Sequence, residues 1–192
     1  MSTHATTRIS PEEYLERERA ADHRSEYLDG EVFALAGVSF AHSRIVTNLV
    51  VAIGLQLKGR TCSVHATDLR VAVGRKGLYT YPDVFVVCGE PKFIDANSDT
   101  VTNPTVIVEV LSDSTKDYDR GGKFAQYRRI ASLTEYLLVA QDEPHVEHFV
   151  RQPDGSWNLT ETSDPDATVQ LSSIDCRLEL AGIYDKVEPK RS

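Results

Sequence analysis

Apolar residues recur along this chain with two periods, one typical of helices and one typical of buried strands. Between His42 and Leu57 they return every three or four positions, which places them on one face of a helix. Over 84–88 and 106–111 the chain is continuously apolar and rich in β-branched residues, as central strands covered on both faces are. Together these segments predict an α/β fold with a mixed sheet.

Shorter signals predict the elements around this core. Ser10, followed by a proline and two glutamates, is an N-cap signal and predicts a helix from Pro11 to about His23. Asp29-Gly30 between two apolar runs predicts a hairpin turn. A polar loop is expected over 112–122, and a third helix from about Lys123 to Ala131. Further strands are expected at 69–73, 136–139, 145–150 and 157–159.

Composition and charge limit the class of protein. The chain has 192 residues, of which 41% are hydrophobic and 26% are charged, and these values exclude collagen, a disordered chain and a disulfide miniprotein. We expect one domain over 1–192, with a core over about 11–150 and C-terminal strands and a tail over 151–192. The net charge of −8 opposes non-specific binding of nucleic acid, so a nuclease of this composition must concentrate positive charge or metal ions at its site.

The cysteines and the apolar segments bear on where the protein works. Cys62, Cys88 and Cys176 are far apart and form no CxxC pair, which argues against a structural zinc site. An odd count in a reducing compartment predicts three packing thiols rather than a disulfide. No stretch approaches the roughly 18–20 apolar residues of a membrane span, and the first ten residues lack the apolar core of a secretory signal. We therefore expect a cytoplasmic protein with no membrane partner.

Two acids fall where the sequence predicts buried strands. Asp83 follows a proline at the head of one run, and Glu109 lies inside another. Ionised carboxylates are rarely buried unless they are paired or bind a cation. If the two strands are neighbours, the carboxylates converge, and oxygen ligands suit Mg²⁺ or Mn²⁺. The alternative is structural, with Asp83 capping a turn and Glu109 paired with a buried arginine or lysine.

A lysine beside the two acids would stabilise negative charge in a transition state. Lys116 in the polar loop and Lys123 at the start of the third helix are the candidates. A helix that packs back over the strand of Glu109 would bring Lys123 to the acids.

The order of these motifs resembles the Uma-type family of restriction-endonuclease-like bacterial proteins, which belongs to the PD-(D/E)XK phosphodiesterase superfamily. The resemblance spans roughly Pro11 to Val150. The matching pieces are Glu26-Tyr27-Leu28-Asp29-Gly30-Glu31, His42 at the start of an apolar helix, Tyr81-Pro82-Asp83-Val84, the run from Pro104 to Ser112, and then Thr115, Asp119, Lys123, Tyr127 and Glu135-Tyr136.

The resemblance implies a restriction-endonuclease-like core, in which helices flank a mixed central sheet. It also implies that Asp83 and Glu109 bind the metal, and that Glu31, or with less support Glu26, is a further acid near it. The superfamily pattern places a lysine two residues after the second acid, where this chain has a leucine. The Uma-type pattern shares this departure, and Lys123 resembles its substitute because a long lysine stem can reach from a helix.

Other polar residues could contact the substrate phosphate or support the site. His42 could bind a phosphate or transfer a proton, or it could cap its helix. Ser112 follows the strand of Glu109 as a site or loop residue, and Tyr127 shares a helix face with Lys123 or belongs to the core. Arg120, together with Arg128, Arg129 and Lys123, forms a basic cluster that either contacts a phosphate backbone or is a solvated helix face.

These observations favour a metal-dependent phosphodiesterase, an endonuclease that hydrolyses nucleic acid and most readily DNA. Asp83, Glu109 and Lys123 would be catalytic, and Asp83, Glu109 and Glu31 would hold Mg²⁺ or Mn²⁺. Because members of the resembled superfamily often cut two strands as dimers, a homodimer is expected. The alternative is a catalytically inactive module on the same fold that binds nucleic acid or protein. A carboxylate-pair hydrolase acting on another substrate is a third hypothesis.

Overall fold

The structure is a computed structural model that describes residues 8–112 and 115–188. The helices are α1 (Pro11–Ala20), α2 (Phe40–Leu57), α3 (Lys116–Tyr118), α4 (Phe124–Tyr127) and α5 (Leu180–Ile183), with a π-helical turn at Asp119–Lys123 between α3 and α4. The strands are β1 (Ser25–Leu28), β2 (Glu31–Ala34), β3 (Cys62–Ala66), β4 (Arg70–Ala72), β5 (Tyr79–Thr80), β6 (Val84–Cys88), β7 (Thr100–Val101), β8 (Val106–Leu111), β9 (Glu135–Ala140), β10 (Val146–Arg151), β11 (Trp157–Thr162), β12 (Thr168–Leu171) and β13 (Cys176–Glu179).

The predicted mixed sheet with flanking helices is confirmed. Six strands are joined in the order β11-β10-β9-β8-β6-β3. The chain runs parallel between β8 and β9 and antiparallel between the other neighbours. All six residues of β8 are buried, because α2 covers one face of the sheet and the segment around α4 covers the other. Fully buried strands of this kind explain the continuous apolar runs in the sequence.

Helix α2 is long and apolar enough, by length and composition, to be compared with a membrane span. In this fold its apolar stripe of Ile45, Leu49 and Ile53 is completely buried against the sheet. The hairpin of β12 and β13, together with α5, packs on the same helix and shares its core. Of the C-terminal strands and tail predicted over 151–192, residues 189–192 lie outside the described residues.

A second sheet, ordered β2-β1-β5-β4-β7, carries the predicted hairpin. Asp29 and Gly30 link β1 to β2 with φ angles of 49° and 97°, the left-handed geometry that a two-residue hairpin turn requires. Helix α1 begins as predicted, since Ser10 Oγ accepts the Glu13 N–H at 3.1 Å. It ends at Ala20 rather than near His23, because Ala21 is already extended.

The third helix starts earlier than predicted. Helical structure begins at Lys116 and ends at Tyr127, so much of the expected polar loop is helical. The chain passes through the glycines at 121 and 122 in the π-helical turn. A Cβ on Gly122 would lie 2.7 Å from the ring of Tyr118. Glycine therefore serves here to let an aromatic ring pack against the helix backbone.

The prediction of three free thiols is wrong for two of them. Cys62 and Cys88 form a disulfide, and the third cysteine, Cys176, is free and buried. The pairing of β3 with β6 places Cys62 directly opposite Cys88, with their Cα atoms 3.9 Å apart. The two cysteines are 26 residues apart in the sequence, and their proximity could not be predicted because only the strand register brings them together.

Candidate active site

Strand register brings Asp83 and Glu109 together. Val84 pairs with Val108 between β6 and β8, so the residue before β6 lies beside Glu109. The backbone N–H of Asp83 donates to Glu109 Oε2 at 3.3 Å, and the N–H of Val110 donates to Asp83 Oδ2 at 2.7 Å. The two acids thus fix each other's position through the backbone, at the floor of a cavity of about 470 Å³.

Lys123 points into this cavity and is buried. Its Nζ lies 3.4 Å from Glu109 Oε1, 3.4 Å from Asp119 Oδ1 and 3.1 Å from Glu26 Oε1. The helix that carries it packs over the sheet, as the sequence suggested. A single ammonium therefore faces three carboxylates.

The early acid of the cavity is Glu26, and Glu31 lies elsewhere. Glu26 is buried, accepts a hydrogen bond from Thr80 Oγ1 and pairs with Lys123. Glu31 lies at the turn end of the same hairpin, where its half-exposed side chain is 3.9 Å from Arg8. Both acids fall on one face of the hairpin, but two residues of strand, about 7 Å, separate their positions. The structure therefore contradicts a place for Glu31 in the cavity.

His42 and Tyr127 each hold one of the two central acids. His42 Nε2 lies 2.9 Å from Asp83 Oδ1, while Ser39 caps the helix by accepting the His42 backbone N–H. The Tyr127 hydroxyl donates to Glu109 Oε1 at 2.7 Å. Tyr127 is also completely buried in the core, as its structural interpretation predicts, and its functional role stays a prediction.

Burial is the largest cause of the shifted pKa values of the acids in the cavity. It raises the pKa of Asp83 to about 7 and that of Glu109 to about 8, although Lys123 acts in the opposite direction on both. Burial alone would lower the pKa of Lys123, but Glu109, Glu26 and Asp119 raise it well above its usual value. Burial lowers the pKa of His42, which favours the neutral imidazole. The cavity thus holds more acid than one lysine can neutralise.

Two residues of the cavity, Asp119 and Arg24, were given no role from the sequence. Asp119 is buried, and its Oδ1 has no hydrogen-bond partner, although Lys123 Nζ lies near it. Arg24 lines the cavity mouth, where it donates to the Thr67 carbonyl at 2.6 Å and lies over the Tyr81 ring. The signal for Asp119 was its spacing of four residues before Lys123, whereas no local signal distinguished Arg24 from other arginines.

Ser112 and Arg120 have different positions. Ser112 lines the cavity and contacts the hydroxyl of Thr115 at 3.0 Å. Arg120 does not line it, because its Nε and a second guanidinium nitrogen bind Glu147 Oε1 at 2.7 and 2.6 Å. Arg120 therefore lies outside this cavity, and its contact with a phosphate backbone stays a prediction.

A different group of side chains meets the geometric condition for three metal ligands. Ligand atoms of His145, Glu147 and Glu161 lie within 4.8 Å of one another on β10, β11 and the turn before β10. Arg120 already neutralises Glu147, and His145 Nδ1 contacts the Ser163 hydroxyl. In the cavity, the two carboxylates that the backbone holds beside each other are those of Asp83 and Glu109. This number suits an ion that completes its shell with water and substrate phosphate.

Comparison with known proteins agrees with this fold. The sequence model of a family described as "Uma2: Putative restriction endonuclease" matches residues 11–181. Two uncharacterized proteins of Synechocystis sp. are similar in sequence. The protein sll1609 is 40% identical over 169 residues, covering 88% of this chain and 96% of its own length. The protein slr1290 is 36% identical over 178 residues, covering 92% of each.

A solved structure shares the fold. It is the crystal structure of a "putative nuclease belonging to DUF820" from Anabaena variabilis, with a TM-score of 0.76 and 20% sequence identity. The match covers 94% of this chain and 99% of that one.

Proposed function

Because the chain belongs to the Uma2 family of restriction-endonuclease-like proteins, we propose that it is a metal-dependent phosphodiesterase that cleaves nucleic acid, with DNA as its substrate. The carrying observation is the meeting of Asp83, Glu109 and Lys123 in one cavity. Two backbone-fixed carboxylates beside a buried ammonium are the parts that phosphodiester hydrolysis needs.

The donor set fits a hard divalent cation. The cavity acids are all carboxylates, and burial raises the pKa values of Asp83 and Glu109 although Lys123 lowers them. Asp119 Oδ1, which lies 3.4 Å from Lys123 Nζ, adds a buried acceptor without a hydrogen bond. Asp83 and Glu109 would hold Mg²⁺ or Mn²⁺, which supplies a bound water of lowered pKa and neutralises phosphate charge.

The surrounding residues keep these groups in place and meet the substrate. His42 and the Val110 N–H orient Asp83, while Tyr127 orients Glu109. Lys123 stabilises the negative charge that develops on the phosphoryl oxygens. Arg24 at the mouth, 46% exposed in its side chain, is the cation that an incoming phosphate meets first. Its partner Asp68 is 77% exposed and can be exchanged for a phosphate at little cost.

Mn²⁺ titration followed by its heat tests the proposed metal site. We expect binding to the wild type, loss of binding in Asp83→Asn and in Glu109→Gln, and unchanged binding in Glu31→Gln, the matched exposed acid. If the wild type alone gives no heat, the titration is repeated with a DNA fragment whose phosphate can complete the shell. No heat in either titration would refute the metal site.

Cleavage assays then separate the enzyme from a binding module. With Mn²⁺ present, we expect cleavage of DNA by the wild type and a loss of at least about a hundredfold in Lys123→Met. Metal binding without cleavage of any DNA or RNA form would instead favour the inactive nucleic-acid- or protein-binding module. The homodimer and the cytoplasmic location stay predictions.

A further inference from the structure

A groove away from the cavity combines aromatic rings with arginines. Its volume is about 660 Å³, and Phe124, Phe149 and Trp157 line it together with Arg128 and Arg129. The three aromatic side chains are half-buried and both arginines are exposed. The lining contains no acidic residue, in a chain whose net charge is −8.

The aromatic rings form a supported platform. The rings of Phe124 and Phe149 have centroids 4.6 Å apart, and Trp157 meets Phe124 edge-on at 5.3 Å. Arg151, which does not line the groove, lies over the indole ring at 4.8 Å from its centroid. Backbone carbonyls of Arg128 and Ile130 hold the Arg151 guanidinium. The orientation of Trp157 is therefore fixed before any ligand arrives.

The groove arginines remain available to a ligand. Arg129 donates to the neutral amide of Gln126 at 2.8 Å, and no carboxylate pairs with Arg128 or Arg129 within the part of the chain that the structure describes. Asp154 directly precedes the lining residue Gly155 in the sequence but does not itself line the groove. Its carboxylate accepts hydrogen bonds from the backbone N–H and the hydroxyl of Ser156. This combination selects a ligand with flat apolar faces and repeated negative charge.

We propose that this groove binds single-stranded nucleic acid, with bases stacked on the Trp157–Phe124–Phe149 platform and phosphates paired with Arg128 and Arg129. Stacking on aromatic rings and pairing with arginines are the two contacts that single strands use. A duplex hides its base faces and would contact only the arginines. The inference goes beyond the proposed cleavage, because the groove needs neither the metal nor the cavity acids.

The position of Trp157 makes a direct test possible, since it is the only tryptophan of the chain. We would titrate a fluorescein-labelled oligo(dT) of roughly ten nucleotides into the wild-type protein in EDTA, which prevents metal-dependent cleavage. Saturable quenching of the tryptophan emission is the expected result. An oligo(U) of equal length tests the sugar, and binding of either oligonucleotide supports the proposal.

Variants assign the binding to the groove through the anisotropy of the labelled strand. Trp157→Ala should weaken binding at least about fivefold, and Trp157→Phe should restore most of it. Arg128→Ala should lower the slope of log affinity against log salt by about 0.7. Phe40→Ala, at an 82% exposed ring on α2, and Arg177→Ala, at an exposed arginine on β13, should change neither quantity.

Four results would overturn the proposal. Two are the absence of quenching by both strands and a loss of affinity in Trp157→Ala no larger than in Phe40→Ala. The other two are equal quenching by a polyglutamate peptide and tighter binding of a duplex than of a single strand. Because all titrations are made in EDTA, failure of the cavity to bind metal or to cleave leaves these readouts unaffected.

Discussion

Replacing Lys123 by methionine should destabilise the protein in a pH-dependent way. The ammonium is buried and lies 3.1 to 3.4 Å from Glu26, Glu109 and Asp119. Methionine preserves much of the side-chain volume but leaves the buried carboxylates without their counter-charge. Removal of one partner from a buried ionic cluster costs about 3–5 kcal/mol, and we expect a loss of this size at pH 8.5.

The pH dependence follows from the raised pKa values of the neighbouring acids. Lys123 lowers the pKa of Asp83 and Glu109, which burial has raised to about 7 and about 8. Without it both pKa values rise further, so the folded variant keeps protons that the unfolded chain releases above about pH 4.5. Each extra retained proton costs about 1.4 kcal/mol per pH unit. The variant should therefore lose more stability at pH 8.5 than at pH 6.

Urea denaturation at the two pH values measures both effects. Lys92→Met, at an exposed lysine, is the matched control and should change the free energy of unfolding by less than about 0.5 kcal/mol. The double variant Lys123→Met/Glu109→Gln should recover part of the loss, because one carboxylate no longer needs a partner. A loss for Lys123→Met below about 1 kcal/mol, equal at both pH values, would refute the buried cluster.

Three further predictions concern the cavity and the disulfide. The affinity for Mn²⁺ should rise from pH 6 to pH 8, because the metal displaces protons from Asp83 and Glu109; a flat calorimetric profile would contradict their raised pKa values. Tyr127→Phe should lower the free energy of unfolding by about 1 kcal/mol through loss of its hydrogen bond to Glu109, as urea titration would show. Reduction of Cys62–Cys88 should cost about 3–4 kcal/mol in the same assay, whereas an unchanged midpoint would mean that the disulfide does not form.

The sequence was informative wherever local periodicity decides structure. The helix of Phe40–Leu57 and the buried strands β6 and β8 have the predicted type and nearly the predicted ends. The hairpin at Asp29-Gly30 followed from turn chemistry alone. These features depend on near neighbours in the chain, so no tertiary information was needed.

The structure departs from the predictions where a contact depends on strand register or on the packing of segments that are distant in the sequence. Glu26 and Glu31 share one face of the hairpin, and only the position of the hairpin against the cavity selects Glu26. The pairing of Cys62 with Cys88 requires the register between β3 and β6. Arg120 was grouped with Lys123 by closeness in sequence, yet it turns to Glu147 on another strand. In each case the chemistry of the residue was visible but its partner was not.

The helical segment from Lys116 to Tyr127 contributes residues to the cavity and leads into the aromatic groove. Its buried side carries Lys123 and Tyr127 to the cavity acids. The adjoining residues Phe124 and Arg128 line the aromatic groove instead. The π-helical turn between α3 and α4 ends at Lys123, directly before the groove residue Phe124. Such turns are frequent at functional sites. One short segment thus supplies the buried lysine of the acidic cavity and an exposed arginine of the groove. In the proposed groove the local positive charge would act against the net charge of −8, which otherwise opposes binding of nucleic acid.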